Sequence, residues 1–125
     1  GTNKKDSVEY PQTGQTDGSI SADTVFEVCK EYRTFFPDLA PGWPGLVQAS
    51  DRLHAMMGIE PQVYDDARRH IGVHATTAAV LCMLDRMPEI KSPGAYLRGL
   101  TQRARQGRFD LPAMLRGTAT RTIVS

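Results

Sequence analysis

The segment from residue 73 to residue 87 constrains the fold most, because its apolar side chains would cover nearly every side of a helix. A helix of this kind is stable in water only when neighbouring elements surround it. The segment is also shorter than the roughly 20 apolar residues that a bilayer-spanning helix needs, and Pro88 ends it. We therefore predict a central, buried helix that contains Ala75, Ala78, Ala79, Val80, Leu81, Met83 and Leu84.

Proline and glycine divide the rest of the chain into short segments whose apolar residues recur at helical spacing. Proline is favoured in the first turn of a helix, and glycine commonly ends one. Only residues 122–124 could pair as a short strand. The predicted fold is all-α, a compact bundle of about five or six short helices with a flexible N-terminal tail. Besides the central helix, the predicted helices run from Ser21 or Asp23 to Phe36, from Pro44 to Gly58, from Pro61 to Gly72, from Pro93 to Gly107 and from Leu111 to Arg116.

The distribution of apolar residues sets the predicted domain boundaries. Residues 1–20 contain almost none, so they bury too little surface to offset the entropy lost on ordering. We predict a flexible linker or tail over residues 1–20, one helical domain over residues 21–117 and a frayed tail over residues 118–125.

Two cysteines, Cys29 and Cys82, both have apolar neighbours in the sequence. Unpaired cysteine in such a setting usually packs as a small buried side chain. We therefore predict two free, buried thiols. A disulfide is the alternative, and a cytosolic environment disfavours it.

The sequence contains no pattern typical of an active site. His70 and His74 have the spacing of some metal ligands, but Gly72 between them should interrupt the helix. Ser92 has no base nearby and is explained as a helix cap, since Pro93 follows it. We expect no enzymatic activity, no metal and no cofactor. The sequence has neither a leader-like start nor a membrane span, so the expected location is cytoplasmic.

Charge is distributed unevenly along the chain. Residues 86–125 carry eight basic and two acidic side chains, whereas residues 1–85 carry seven basic and twelve acidic ones. Such asymmetry indicates either an acidic partner for the C-terminal part or a basic face that balances the acidic half of the same molecule. Arginine and lysine side chains are suited to phosphate oxygens. The candidate phosphate-binding residues are Lys91, Arg98, Arg103, Arg105 and Arg108.

A sequence run at residues 90–101, Ile-Lys-Ser-Pro-Gly-Ala-Tyr-Leu-Arg-Gly-Leu-Thr, is followed by Ala104, Gly107 and Phe109. In this run, and in the order of helices upstream of it, the sequence resembles the C-terminal domain of the RepC family, the initiators of repABC-type plasmids in alphaproteobacteria. The resemblance covers roughly residues 25–117. It implies a role in plasmid replication and, for the whole protein, binding to the plasmid origin. The winged-helix region that the family is expected to use for the origin is N-terminal to the part matched here.

Two hypotheses remain open for this chain. In the first, the basic helix and loop bind DNA in support of replication. In the second, the chain binds proteins, either a second copy of itself or host replication proteins, through an apolar surface at Phe36, Leu39 and Trp43. Neither hypothesis involves a membrane.

Overall fold

The computed structural model describes residues 20–124, with side chains described to residue 121. Within this range the fold is all-α, as predicted, and contains no strand. The predicted tail lies outside the described residues apart from Ile20, which packs against the core. The elements in order are α1 (Ala22–Val28), α2 (Tyr32–Phe35), α3 (Gly42–Met56), α4 (Pro61–Ile71), α5 (Val73–Asp85), a 3₁₀ turn (Met87–Glu89), α6 (Pro93–Arg105) and α7 (Leu111–Val124).

The central helix is α5, which confirms the prediction made from its apolar composition. Every residue from Ala75 to Leu84 is buried. Helices α2, α3, α4, α6 and α7 all contact it, so its neighbours cover it on all sides. No helix of the described chain is long and apolar enough to cross a membrane.

The first predicted helix, Ser21 or Asp23 to Phe36, is wrong, because the structure has two helices there. Ser21 caps α1 by accepting a hydrogen bond from the backbone N–H of Thr24, at 3.2 Å. The helical path breaks after Val28, and α2 begins at Tyr32. The carboxylate of Asp85 accepts hydrogen bonds from the backbone N–H groups of Lys30 (3.1 Å) and Glu31 (2.9 Å). In a continuous helix these two N–H groups would donate to carbonyl oxygens of the helix itself. Here the Asp85 carboxylate at the end of α5 takes the place of those carbonyl groups.

Helix α3 begins earlier than predicted, at Gly42 rather than Pro44. Gly42 has a φ of 78°, a backbone conformation that glycine adopts without strain. The preceding turn folds back so closely that a Cβ atom at Gly45 would lie 1.8 Å from the carbonyl oxygen of Ala40. Only glycine allows this turn to lie directly on the first turns of α3.

The last helix also differs from the prediction. Instead of ending at Arg116 with a frayed tail after residue 117, α7 continues to Val124, so residues 122–124 are helical and not a strand. Arg86 stabilises this extension. Its guanidinium donates to the Thr118 hydroxyl at 3.0 Å and to the Met114 carbonyl oxygen at 2.8 Å. Thr118 is fully buried at this contact, so the domain extends beyond residue 117.

Candidate nucleic-acid interface

Helix α6 carries most of the basic candidate residues, and its local sequence explains why it forms. The Ser92 hydroxyl accepts a hydrogen bond from the backbone N–H of Ala95 at 3.2 Å, and Pro93 occupies the first helical position. Leu97, Leu100 and Thr101 are buried, mainly against α4. The capped start confirms the sequence prediction, and the burial of one side fixes which side of α6 faces the solvent.

All five basic candidates are exposed, but they do not form a single row. Arg98 and Arg105 are seven residues apart, so helical geometry places them within roughly 20° of each other around the axis. Arg103 is rotated by roughly 140° from Arg98 and lies on the opposite flank. Lys91 precedes the helix and Arg108 follows it. The basic surface, defined as these five residues, therefore borders the solvent-facing side of α6.

The solvent-facing side itself carries small or uncharged residues, Ala95, Gly99 and Gln102, all exposed. A Cβ atom added at Gly99 would meet nothing within 4 Å. Neither packing nor an unusual backbone angle therefore requires glycine there, although glycine in an exposed helix costs about 0.8–1.0 kcal/mol relative to alanine. A partner that contacts both basic flanks would pass over this residue.

The acidic residues nearest in sequence are engaged elsewhere. Glu89 forms an ion pair with Arg121, and the Asp110 carboxylate accepts from the backbone N–H of Ala113 at 3.0 Å, which caps α7. Among residues 20–121, no carboxylate forms an ion pair with any member of the basic surface. No ion pair within the described part of the molecule thus neutralises the basic surface.

Three acidic residues of the N-terminal half, Asp51, Asp65 and Asp66, form ion pairs within that half. Asp65 pairs with Arg68 at 2.6 Å, and Asp66 pairs with Arg69 at 3.3 Å, both within α4. Arg68 also lies 3.6 Å from Asp51 of α3. The basic face therefore does not pair with these three carboxylates.

The aromatic residues near the basic surface are engaged with the core. Tyr96 and Phe109 are both half-buried and pack against the core. Contacts from this surface to a nucleic acid would therefore be made by cationic side chains.

The second predicted surface is only partly exposed. Phe36 and Leu39 are half-buried and line a groove of about 400 Å³ between α1, α2 and α3. Trp43 is also half-buried and stacks on His74, with ring centroids 4.1 Å apart.

The exposed aromatic side chains of this region are Phe26 (49%) and Phe35 (46%), which the sequence analysis did not single out. The sequence did contain a signal for Phe26. Val25 and Cys29 are four residues apart and are both buried, so helical spacing turns Phe26 toward the solvent.

The histidines with ligand-like spacing have other contacts. The Nδ1 atom of His70 lies 3.0 Å from the carbonyl oxygen of Asp66, and His74 stacks on Trp43. Among the residues whose side chains the structure describes, no group of three or more histidine, cysteine or acidic residues is arranged to hold a metal ion.

Comparisons with known proteins identify the family of the chain. A family model described as the replication protein C C-terminal region matches residues 21–121. Two curated relatives carry the name "Putative replication protein C". The one from Rhizobium rhizogenes is 35% identical over 92 residues, which cover 73% of this chain and 23% of that protein. The one from Sinorhizobium fredii (strain NBRC 101917 / NGR234) is 41% identical over 97 residues, which cover 74% of this chain and 24% of that protein.

No solved structure matches the chain. The chain spans about a quarter of the length of the two curated relatives. The family match covers α1 to α6 and most of α7, and it includes the whole basic surface. The resemblance found in the sequence is thereby confirmed, and the chain belongs to the replication protein C family, as its C-terminal region.

Proposed function

We propose that this chain supports plasmid replication by binding the phosphate backbone of DNA through the basic surface of α6 and its two ends. The observation that carries the proposal is the set of five exposed cationic side chains without an ion-pair partner among the described residues. On this proposal the chain acts by binding and not by catalysis. It works on plasmid DNA in the cytoplasm, alongside the rest of the replication protein.

The dimensions of the surface set the expected strength of binding. Helix α6 has 13 residues, so it is about 20 Å long, which corresponds to roughly six base pairs of duplex. Lysine and arginine bind phosphate oxygens as point charges or planar forks and read no sequence in doing so. We therefore expect weak binding, with a dissociation constant of about 10⁻⁴–10⁻⁶ M at physiological salt and little preference for sequence.

The test is the DNA affinity of the chain across a salt series. Five phosphate contacts would give a slope of about −4.5 in a plot of log affinity against log salt, because each neutralised phosphate releases counterions. Fluorescence anisotropy with a labelled duplex, and with a second duplex of scrambled sequence, measures the slope and the sequence preference together. Absence of binding at low salt, or an affinity that salt does not change, would contradict the proposal.

Gly99 provides a sharper test, because stability and binding should change in opposite directions. Gly99→Leu introduces a better helix former at an open position, so the free energy of unfolding should rise by about 0.8 kcal/mol. The same side chain adds bulk between the two basic flanks and should lower DNA affinity. Ala55→Leu is the matched control, since Ala55 is exposed near the end of α3 and its replacement should leave affinity unchanged. Equal DNA affinities of the Gly99→Leu and Ala55→Leu variants would mean that DNA does not bind at this side of α6.

A second candidate function is protein binding at the groove next to Phe36 and Leu39. It is favoured by the exposure of Phe26 and Phe35, the two aromatic side chains at its margins. The partner would be a second copy of the chain or a host replication protein.

Sizing by light scattering tests self-association against the mass of one chain, 13.8 kDa. If copies associate through the groove, Phe35→Ser should restore the monomer. Met56→Ser, which removes another exposed apolar side chain from the end of α3, should not. A chain that is monomeric before any substitution excludes self-association at this surface.

A further inference from the structure

The two cysteines lie side by side in the core, although 53 positions separate them in the sequence. Both are fully buried, and their Sγ atoms are 3.6 Å apart. Cys29 directly follows α1, and Cys82 lies near the end of the central helix α5. The contact therefore joins the first helix of the domain to its most buried one.

The distance is close to what a covalent bond requires. A disulfide bond is about 2.05 Å long, so the two sulfur atoms would have to approach by only about 1.5 Å. Helix α1 has seven residues and precedes a break in the helical path, so Cys29 is not part of a longer helix. The packing of α1 against α3 and α7 keeps the two thiols together.

The environment of the two thiols differs, which gives them different chemical roles. A hydrogen bond from the Cys29 thiol lowers the pKa of Cys82, and the Thr118 hydroxyl and the charge of Arg86 act in the same direction. The same hydrogen bond raises the pKa of Cys29, as does its burial. A thiolate is the attacking species in thiol–disulfide exchange, and the nearby Arg86 and Thr118 favour that role for Cys82.

We propose that Cys29 and Cys82 form a redox-sensitive dithiol site, which a low-molecular-weight disulfide converts into an intramolecular disulfide that locks α1 onto α5. The Cys82 thiolate attacks one sulfur of the small disulfide, forming a mixed disulfide and releasing one small thiolate. Cys29 then loses its proton and attacks the Cys82 sulfur, which releases the second small thiolate. The protein loses two electrons and two protons, and the small disulfide is reduced to two thiols.

Access to the buried sulfurs comes from local opening of α1. This helix is short and lies at the start of the described domain, and elements of that kind open at lower free energy than a central helix. Since Cys29 directly follows α1, displacement of this helix exposes both sulfurs together. Re-docking of α1 then brings Cys29 back to Cys82 and favours ring closure over a lasting adduct with the small thiol. The site is independent of α6 and of the proposed DNA contact.

The experiment equilibrates the folded chain in buffers of reduced and oxidised glutathione, blocks remaining thiols by alkylation and measures the intact mass. We expect an intramolecular disulfide without bound glutathione. We also expect a thermal unfolding midpoint higher by on the order of 10 °C, because the bond closes a long loop of the unfolded chain. Dithiothreitol should reverse both changes. The same chain unfolded in denaturant is the reference, because its two cysteines are not held together by packing.

Cys29→Ala and Cys82→Ala are the matched controls, and neither should show the oxidant-dependent rise in unfolding temperature. If either variant fails to fold, the mass of the wild-type chain still decides the question. Two free thiols in fully oxidised glutathione, a stable glutathione adduct on either cysteine, or a disulfide between two chains would each overturn the proposal.

Discussion

Reversal of charge at Arg103, Arg105 and Arg108, by substitution with glutamate, is expected to lower the affinity for duplex DNA by about 100-fold or more at low salt. On the proposed function, three attractive contacts with phosphates become repulsive, and the formal net charge of the chain changes from +1 to −5. The slope of log affinity against log salt should also become shallower by roughly 3, about one for each phosphate contact removed. Fluorescence anisotropy on the wild-type and variant chains measures both quantities.

A matched variant separates the effect of position from that of total charge. Lys30, Arg52 and Arg69 are exposed on other parts of the fold, and their reversal to glutamate changes the net charge by the same amount. This control should lose much less affinity, because only long-range attraction is altered. Equal losses in the two variants would show that DNA responds to overall charge and not to the basic surface.

Stability has to be followed in the same experiment. Arg103 and Arg105 lie in the last turn of α6, where cations interact favourably with the helix dipole. Their reversal is expected to lower the free energy of unfolding by about 1 kcal/mol, which leaves the domain folded. Circular dichroism during urea unfolding checks this point.

Gly45→Ala is expected to destabilise the domain by about 3 kcal/mol and to lower the unfolding midpoint by about 15 °C. The added Cβ atom would lie 1.8 Å from the carbonyl oxygen of Ala40 and 2.8 Å from its carbonyl carbon. Because both are backbone atoms, no side-chain rotation relieves the clash, and the turn before α3 has to move away.

Thermal unfolding of this variant beside Gly99→Ala provides the comparison. The two substitutions are chemically identical, and both sites lie within helices, but only Gly45 meets the backbone of another segment. Gly99→Ala should raise the midpoint, because alanine is the better helix former. A Gly45→Ala variant as stable as the wild-type chain would mean that the turn does not pack against α3 as described.

Local sequence signals predicted most of the fold. The apolar composition around Val80 placed the central helix, and Ser92 with Pro93 placed the start of α6. Predictions failed where a residue distant in the sequence decides the local structure. The break between α1 and α2 depends on Asp85, more than 50 positions away, and the length of α7 depends on Arg86. No helical period or propensity in either segment encodes these contacts.

For the candidate DNA-binding surface too, local sequence predicted some features, and others depend on distant contacts. Sequence spacing was enough to identify the five cationic residues, since a helix that buries Leu97 and Leu100 has to expose Arg98 and Arg105. Their lack of ion-pair partners among the described residues could not be predicted. It depends on which carboxylates are drawn to other groups, such as Glu89 to Arg121 and Asp110 to the start of α7.

Two neighbouring residues at the end of α5 have a mechanical consequence. Asp85 holds the backbone at the start of α2, and Arg86 holds α7, so elements from both ends of the described domain are attached at one point of the central helix. A pulling force applied between those two ends would be carried across this junction and would largely bypass α4 and α6. We therefore expect a load on the domain to strain this junction before it changes the shape of the basic surface.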